Sequence, residues 1–439
     1  MFEEIGRKLS GMVSIPTVSG EGNEKDYHIV EYREYLEKEF PNVFACADVI
    51  KVGEARLLKL TGRGEGARPV LFTGHMDVVP IQDPKAWKYP PFSGEIVEGT
   101  VWGRGAQDMK GPQCALLSAL DQLLGEGWNP GREIWLYLSC DEEVGGETTG
   151  KAAKILENMG IRFEIIFDEG GTICENFMEM TEGKAAMIAI AEKGSLEYRF
   201  TALSEGGHSA SPQKNSAIVR LGELMHEAEH TDLFHRGLSE GNRTMLREMA
   251  AVHPDQEKRG KLLQASREEG EYKVLREICK EAENLLGSTI AFTMIEGGTA
   301  FNVMPKRAVL TANVRIAAAE TKEEVTAKLQ ALAKKHDLIC ECVGGREAVP
   351  ESNTEQTGYQ MVKACVNEVY PGLPVIPFVL GGGTDSRYFM HLTDEIVRFS
   401  PMYARPWQGR GVHGDNEAAD IDAVRDAAVC YRCLLSKYL

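Results

Sequence analysis

The chain has 439 residues, too many for one simple core, so two domains are expected. Hydrophobic residues make up 43% and charged residues 26%, an ordinary globular composition; the formal net charge of −17 argues against a general nucleic-acid or anionic-membrane binder, which needs basic patches. No run of ~20 apolar residues is present to span a bilayer. The first residues lack the apolar stretch of a signal peptide. Ten scattered cysteines suit free thiols in a reducing compartment, so a cytoplasmic protein is expected.

Residues 2–13 and 24–39 are predicted as helices, parted by the breaker-rich Ser14-Ile15-Pro16-Thr17-Val18-Ser19-Gly20. Strands are predicted over 43–60 and 69–79. The second runs into Gly74-His75-Met76-Asp77-Val78-Val79-Pro80. His75 and Asp77 share a face of an extended chain. An imidazole can bind a metal through one nitrogen while a carboxylate fixes its tautomer through the other. Alone, the pattern also fits a polar residue at a sheet rim.

A loop over 80–99 follows, and then Val101-Trp102-Gly103-Arg104-Gly105-Ala106-Gln107-Asp108-Met109-Lys110-Gly111. These glycines fit neither a Walker pattern nor a dinucleotide fingerprint. A helix over 112–125 and a buried strand over 133–139 come next, the strand ending in Cys140-Asp141-Glu142-Glu143-Val144-Gly145-Gly146. After a helix over 149–159, a strand over 163–167 ends in Asp168-Glu169-Gly170-Gly171. Three strand ends thus carry acids or a histidine, with helices between them. That is the α/β pattern, whose sites lie at the carboxyl ends of strands.

From about residue 191 the order changes to strand (194–203), helix (214–230), strands (288–296, 307–316), helix (321–336) and strand (338–343), a βαββαβ order expected to form a ferredoxin-like α+β sandwich. Residues 231–286 form a charged helical insertion, read as a solvated elaboration or as a lid or interface. After 350 the α/β texture resumes with a helix over 357–370, the loop Gly381-Gly382-Gly383-Thr384-Asp385-Ser386-Arg387, a strand over 396–400, Val412-His413-Gly414-Asp415-Asn416-Glu417 and a helix over 420–437. The domains expected are 1–190 with 350–439, and 191–349 inserted between them. Cys430 and Cys433 form a lone Cys-x-x-Cys, read as two core cysteines on one helical face, with a redox role as the distant alternative.

His75, Asp77, Asp108, Glu142, Glu143, Asp168 or Glu169, and His413 form the candidate site. Two imidazoles and three carboxylates can hold two divalent ions if one carboxylate bridges. An N/O donor set suits Zn²⁺, with Mn²⁺ or Co²⁺ as alternatives. Of the neighbours Glu142 and Glu143, one can ligate while the other stays free as a base.

With GHMDVVP, WGRGAQDMKG, DEEVGG, DEGG, GGHSA, GGTDSR and HGDNE, the chain resembles, nearly end to end, the di-zinc peptidase and amidohydrolase family of carboxypeptidase S, aminoacylase, acetylornithine deacetylase, succinyl-diaminopimelate desuccinylase and carnosinase. The resemblance implies a zinc-peptidase-like domain with a central mixed sheet, an inserted lid and dimerisation domain, two Zn²⁺ and a homodimer. It implies His75 on one ion and Glu143 with His413 on the other. Asp108 would bridge, and an acid from Asp168-Glu169 would join His75, with a lean to Asp168 as the first residue off the strand. Asp77 would orient His75, and Glu142 would be the general base. It implies that His208 stabilises an oxyanion, where the residues alone suggest a surface-loop histidine. It also places Asn302, Arg315 and Arg387, beside Gly382 and Gly383, near substrate, Arg387 gripping a carboxylate; for each arginine a surface ion pair is the alternative.

The function expected is metal-dependent hydrolysis, by a water held between the ions, of an amide bond in a dipeptide or N-acyl amino acid with a free carboxylate. A dedicated deacylase of an intermediate such as acetylornithine is the alternative within the enzyme class. A non-catalytic metal- or amino-acid-binding protein is the alternative outside it.

Overall fold

Three short apolar runs, each buried along its whole length, form the middle of the main sheet: Val70–His75, Ile134–Ser139 and Ile165–Asp168. The computed structural model describes residues 2–20, 22–64, 66–234, 238–267, 271–280 and 282–439. The three strands are neighbours and parallel, with Val70–His75 in the centre. Val70 lies opposite both Ile134 and Ile165, and His75 opposite Ser139. Strands buried on both faces need no alternation, which is why these runs are continuously apolar. The shared direction and register bring their carboxyl ends to one edge.

Among the described residues, the sheet continues outward from this trio. On one side lie Ala55–Leu60 and Asp48–Val52, both antiparallel. On the other lie Ile396–Arg398, parallel to Ile165–Asp168, then Lys184–Glu192 and Val375–Leu380, with Thr172–Glu175 paired to Lys184–Glu192. The result is a mixed sheet of nine strands. Two stretches differ from the sequence expectation. Residues 43–60 are not one strand: Pro41 opens a helix, Pro41–Cys46, where its fixed φ suits the first turn. The chain then forms a hairpin that turns at Gly53, whose φ of +57° favours glycine. The strand Lys184–Glu192 was not anticipated, because Ala-rich KAAMIAIAE carries little β signal of its own.

The helix Lys110–Gly125 is buried along most of its length and packs with Ile421–Tyr438. Leu136 is 1% exposed at the heart of the sheet, in the strand that leads to Glu142 and Glu143. Leu136→Ala is expected to cost about 2–5 kcal/mol in denaturant unfolding, as buried Leu truncations do.

The chain divides into two compact units: Met1–Ile190 with Ser352–Phe378 and Thr384–Leu439, and Ala191–Glu351 with Val379–Gly383. The second unit has a four-stranded antiparallel sheet in the order Thr289–Gly297, Arg307–Ile316, Gly194–Leu203, Ile339–Arg346. Leu221 and Leu224 of the helix Ala217–His230, and Val325 and Leu329 of the helix Lys322–Lys335, share one core with Tyr198, Phe200 and Leu310 of this sheet. A capping box between Thr321 and Glu324 starts the second helix. In the 231–286 insertion, residues 235–237, 268–270 and 281 lie outside the described residues. The rest includes the helices Glu240–Val252 and Gln256–Arg267. Among the described residues, no helix is long and apolar enough to cross a membrane.

Candidate active site

The edge where the three parallel strands end gathers the acids and histidines. His75 is the last residue of its strand and is 1% exposed. Its Nδ1 donates to the backbone carbonyl of Asp77 at 2.9 Å, which fixes the tautomer and leaves the Nε2 lone pair facing outward. Around Nε2 stand Asp108 Oδ1 at 3.0 Å and Glu169 Oε1 at 3.2 Å. The other oxygen of Asp108, Oδ2, lies 3.1 Å from His413 Nε2, which is also 3.1 Å from Glu143 Oε2. Asp108 thus stands between two imidazole–carboxylate pairs, one oxygen turned to each. The peptide bond after Asp108 is cis. His413 reaches the cluster from a loop residue with φ of +56°.

The electrostatics match a crowd of like groups. Burial opposes charge on His75, but Glu169, Asp108 and Asp77 outweigh it and hold its pKa well above the usual imidazole value. Burial and the neighbouring Asp108 carboxylate push Glu169 well up. Burial acts against ionised Asp108 as well, yet hydrogen bonds with His413 and His75 hold it far below the ordinary range. Hydrogen bonds with Asp108 and Glu143 raise His413 to about 10. Lone pairs of nitrogen and carboxylate oxygen at 3.0–3.2 Å have no donor between them unless a proton or a cation stands there. The donor types and their convergence fit divalent cations. His75, Asp108 and Glu143 form one group able to hold an ion, and His75, Glu142 and Glu169 another.

The structure separates the two acids of the Asp168-Glu169 pair. Glu169, not the favoured Asp168, is the acid that stands beside His75 Nε2. Asp168 is still inside the strand, and its oxygens accept from the backbone N–H of Glu169 at 2.9 Å and of Ser386 at 2.8 Å. Glu169, one residue further, has its side chain on the opposite side, as alternation along a strand requires. Asp77 touches His75 and also holds a second element. Its carboxylate lies 3.6 Å from His75 Nδ1. It also accepts from the backbone N–H groups of Glu142 at 3.2 Å and Glu143 at 3.1 Å, and from Ser19 Oγ at 2.8 Å. Asp77 thus positions the Glu142-Glu143 turn, and its backbone orients the imidazole.

Glu142 is half-buried at the mouth of the cluster. Burial, with the charges of Asp385 and Glu143, raises it to about 8 against the pull of His75 and Arg387. Arg387 is partly spent on backbone: Nη1 donates to the Thr384 carbonyl at 2.6 Å and Nη2 to that of Gly145 at 3.1 Å, while Nη1 lies 3.5 Å from Glu142 Oε1. The structure therefore sets Arg387 beside Glu142.

His208, Asn302, Arg315, Gly382 and Gly383 belong to the second unit. His208 and Val303 pair in a two-residue ribbon, and Ser209 N–H donates to the Asn302 carbonyl at 3.2 Å, so the His208 and Asn302 loops are neighbours, both exposed. Arg315 donates to the carbonyl of Gly381 at 3.3 Å, beside Gly382 and Gly383.

Two positioning residues escaped the sequence reading. Glu417 is fully buried and accepts from the backbone N–H groups of Gly105, Gln107 and Asp108 at 2.9, 2.8 and 3.0 Å, and from Arg104 Nη1 at 2.7 Å. It holds the loop that presents Asp108. Ser19 is the other, through its bond to Asp77. A carboxylate four residues after a candidate ligand, and a serine in a breaker-rich stretch, were the available signals.

The family model of peptidase family M20/M25/M40 matches residues 71–437. The N-fatty-acyl-amino acid synthase/hydrolase PM20D1 of Mus musculus is 30% identical over 95% of this chain and 84% of its own. The probable carboxypeptidase S-like 2 of Dictyostelium discoideum is 27% identical over 99% of this chain and 86% of its own. Among solved structures, the M20 family metallo-carboxypeptidase Sso-CP2 from Sulfolobus solfataricus superposes with a TM-score of 0.72 at 18% identity, covering 99% of both chains. Human carnosine dipeptidase 1 superposes with a TM-score of 0.66 at 16% identity, over 99% of this chain and 95% of its own. With that match over most of its length, and a mixed α/β fold shared with solved M20 structures, the chain belongs to peptidase family M20/M25/M40.

Proposed function

We propose that this metal-dependent hydrolase holds two zinc ions and cleaves the amide bond of an N-acyl amino acid or a dipeptide with a free carboxylate. One observation carries the two-ion reading: Asp108 turns one oxygen to His75 at 3.0 Å and the other to His413 at 3.1 Å. His75 and Glu169 would hold one ion, Glu143 and His413 the other, with Asp108 shared. When bound, such a pair polarises a carbonyl and lowers the pKa of water. Glu142, beside those five ligands and not one of them in this reading, takes the proton of the attacking water and delivers it to the departing amine nitrogen. Arg387 and the backbone N–H groups bound to Asp77 keep the Glu142 carboxylate in place. For His208 as oxyanion donor, and for Asn302, Arg315, Gly382 and Gly383 as substrate contacts, the support is the family likeness, as it is for a homodimer formed through the second unit acting as a lid and dimerisation domain. The names of the relatives favour N-acyl amino acids over one biosynthetic intermediate such as acetylornithine. The free cysteines accord with a reducing, cytoplasmic setting.

The test is amino-acid release from a mixed panel of dipeptides and N-acyl amino acids. Chelation should abolish release, and two equivalents of Zn²⁺, or Co²⁺ or Mn²⁺, should restore it. Restoration by a single equivalent would overturn the two-ion reading. Release from acetylornithine alone would replace the substrate class.

A further inference from the structure

A second set of metal-donor side chains lies in the second unit, on the helix Ala217–His230. Its last five residues read His226-Glu227-Ala228-Glu229-His230, the spacing His-Glu-x-x-His that places two imidazoles on one helical face. The rings are neighbours, with centroids 4.2 Å apart and planes 34° from parallel. His230 Nδ1 donates to the backbone carbonyl of His226 at 2.8 Å. That bond fixes the tautomer of His230 and leaves Nε2 as a lone-pair donor, as in metal-binding histidines. The pair closes the C-terminus of the helix, where the backbone dipole favours a cation. It lines an open cleft of about 650 Å³ with Glu223, Glu227 and His336.

We infer that His226 and His230 form a binding site for one divalent transition-metal ion of the imidazole-preferring class, Zn²⁺, Cu²⁺ or Ni²⁺, with water completing the coordination. Nitrogen donors select these ions over Mg²⁺ and Ca²⁺. The site is not a second peptidase centre. In such a motif the glutamate must be free as a base, but Glu227 is held by Lys335 at 2.7 Å and His336 at 2.9 Å. Those partners belong to the end of the neighbouring helix, so Glu227 ties two helices together, and the carboxylates of Glu223 and Glu229 supply negative potential around the pair. Both histidines are exposed, so their substitution leaves the helix core intact.

The test uses the full chain, loaded with zinc and dialysed, then titrated with Cu²⁺ and followed by electron paramagnetic resonance. Wild type should take one Cu²⁺ per chain with hyperfine structure from two imidazole nitrogens. The double variant H226A/H230A should lose that signal and keep full amide hydrolysis, and E227Q should keep it. Equal copper binding by wild type and H226A/H230A, or no copper bound by wild type beyond its zinc, would overturn the site.

Discussion

Glu142→Gln should lower kcat by about 10²–10⁴-fold while the bound metal, the thermal midpoint and the affinity for substrate stay close to wild type. The amide keeps the shape of the side chain and loses only the ability to accept a proton. Five other groups, His75, Asp108, Glu143, Glu169 and His413, converge without it, so the proposed ligand set stays complete even though Glu142 also lies within reach of His75 and Glu169. Its backbone N–H stays on Asp77, so the turn that carries Glu143 keeps its place. The measurement is steady-state hydrolysis beside metal content by mass spectrometry. Wild-type turnover with two ions bound would remove Glu142 from the mechanism. Loss of an ion together with turnover would make it a ligand instead.

Glu417→Ala should cost about 3–5 kcal/mol in denaturant unfolding, the range for breaking a buried ion pair by removing one partner. Arg104, 3% exposed, would lose its carboxylate, and three backbone N–H groups of the loop before Asp108 would lose their acceptor. Because that loop presents Asp108, metal affinity should fall as well, by the 10–100-fold typical of losing a group that orients ligands. Glu417→Gln retains the shape and part of the hydrogen bonding, so its effect should be distinctly smaller. An alanine variant as stable as wild type would show that the charge pair and the amide cradle contribute nothing.

Much of this was legible in the chain because periodicity and position carried it. Unbroken apolar runs ending in His75, Cys140-Asp141-Glu142-Glu143 and Asp168-Glu169 announced buried parallel strands with their ends loaded. Asp108 and His413 stood in the candidate set as a loop acid and a loop histidine, and only the family motifs gave each its own role, since nothing local says which ion such a residue would serve. What failed to show was whatever depends on side-chain direction. Asp168 and Glu169 are adjacent acids, and only the point at which the strand ends decides which one faces His75. Asp77 has the right spacing to orient an imidazole, and what spacing could not show is that its carboxylate also takes two amides from the turn at Glu142 and Glu143, about 65 residues away. The helix Pro41–Cys46 was hidden in an apolar stretch that reads equally well as strand, with Pro41 the clue that should have decided it.

The placement of His413 has a consequence for how the protein is made. His75, Asp108, Glu143 and Glu169 all leave the ribosome within one stretch of about 95 residues, whereas His413 follows about 240 residues after Glu169. At 5–20 residues per second, the growing chain spends on the order of 10–50 s with the acids and only one imidazole of the cluster synthesised. During that interval Glu417, whose carboxylate holds the loop that presents Asp108, is also still to be made. The cluster can therefore close only when its last loop is made, and a chain cut short before residue 413 would lack both the imidazole beside Glu143 and the carboxylate that holds the Asp108 loop.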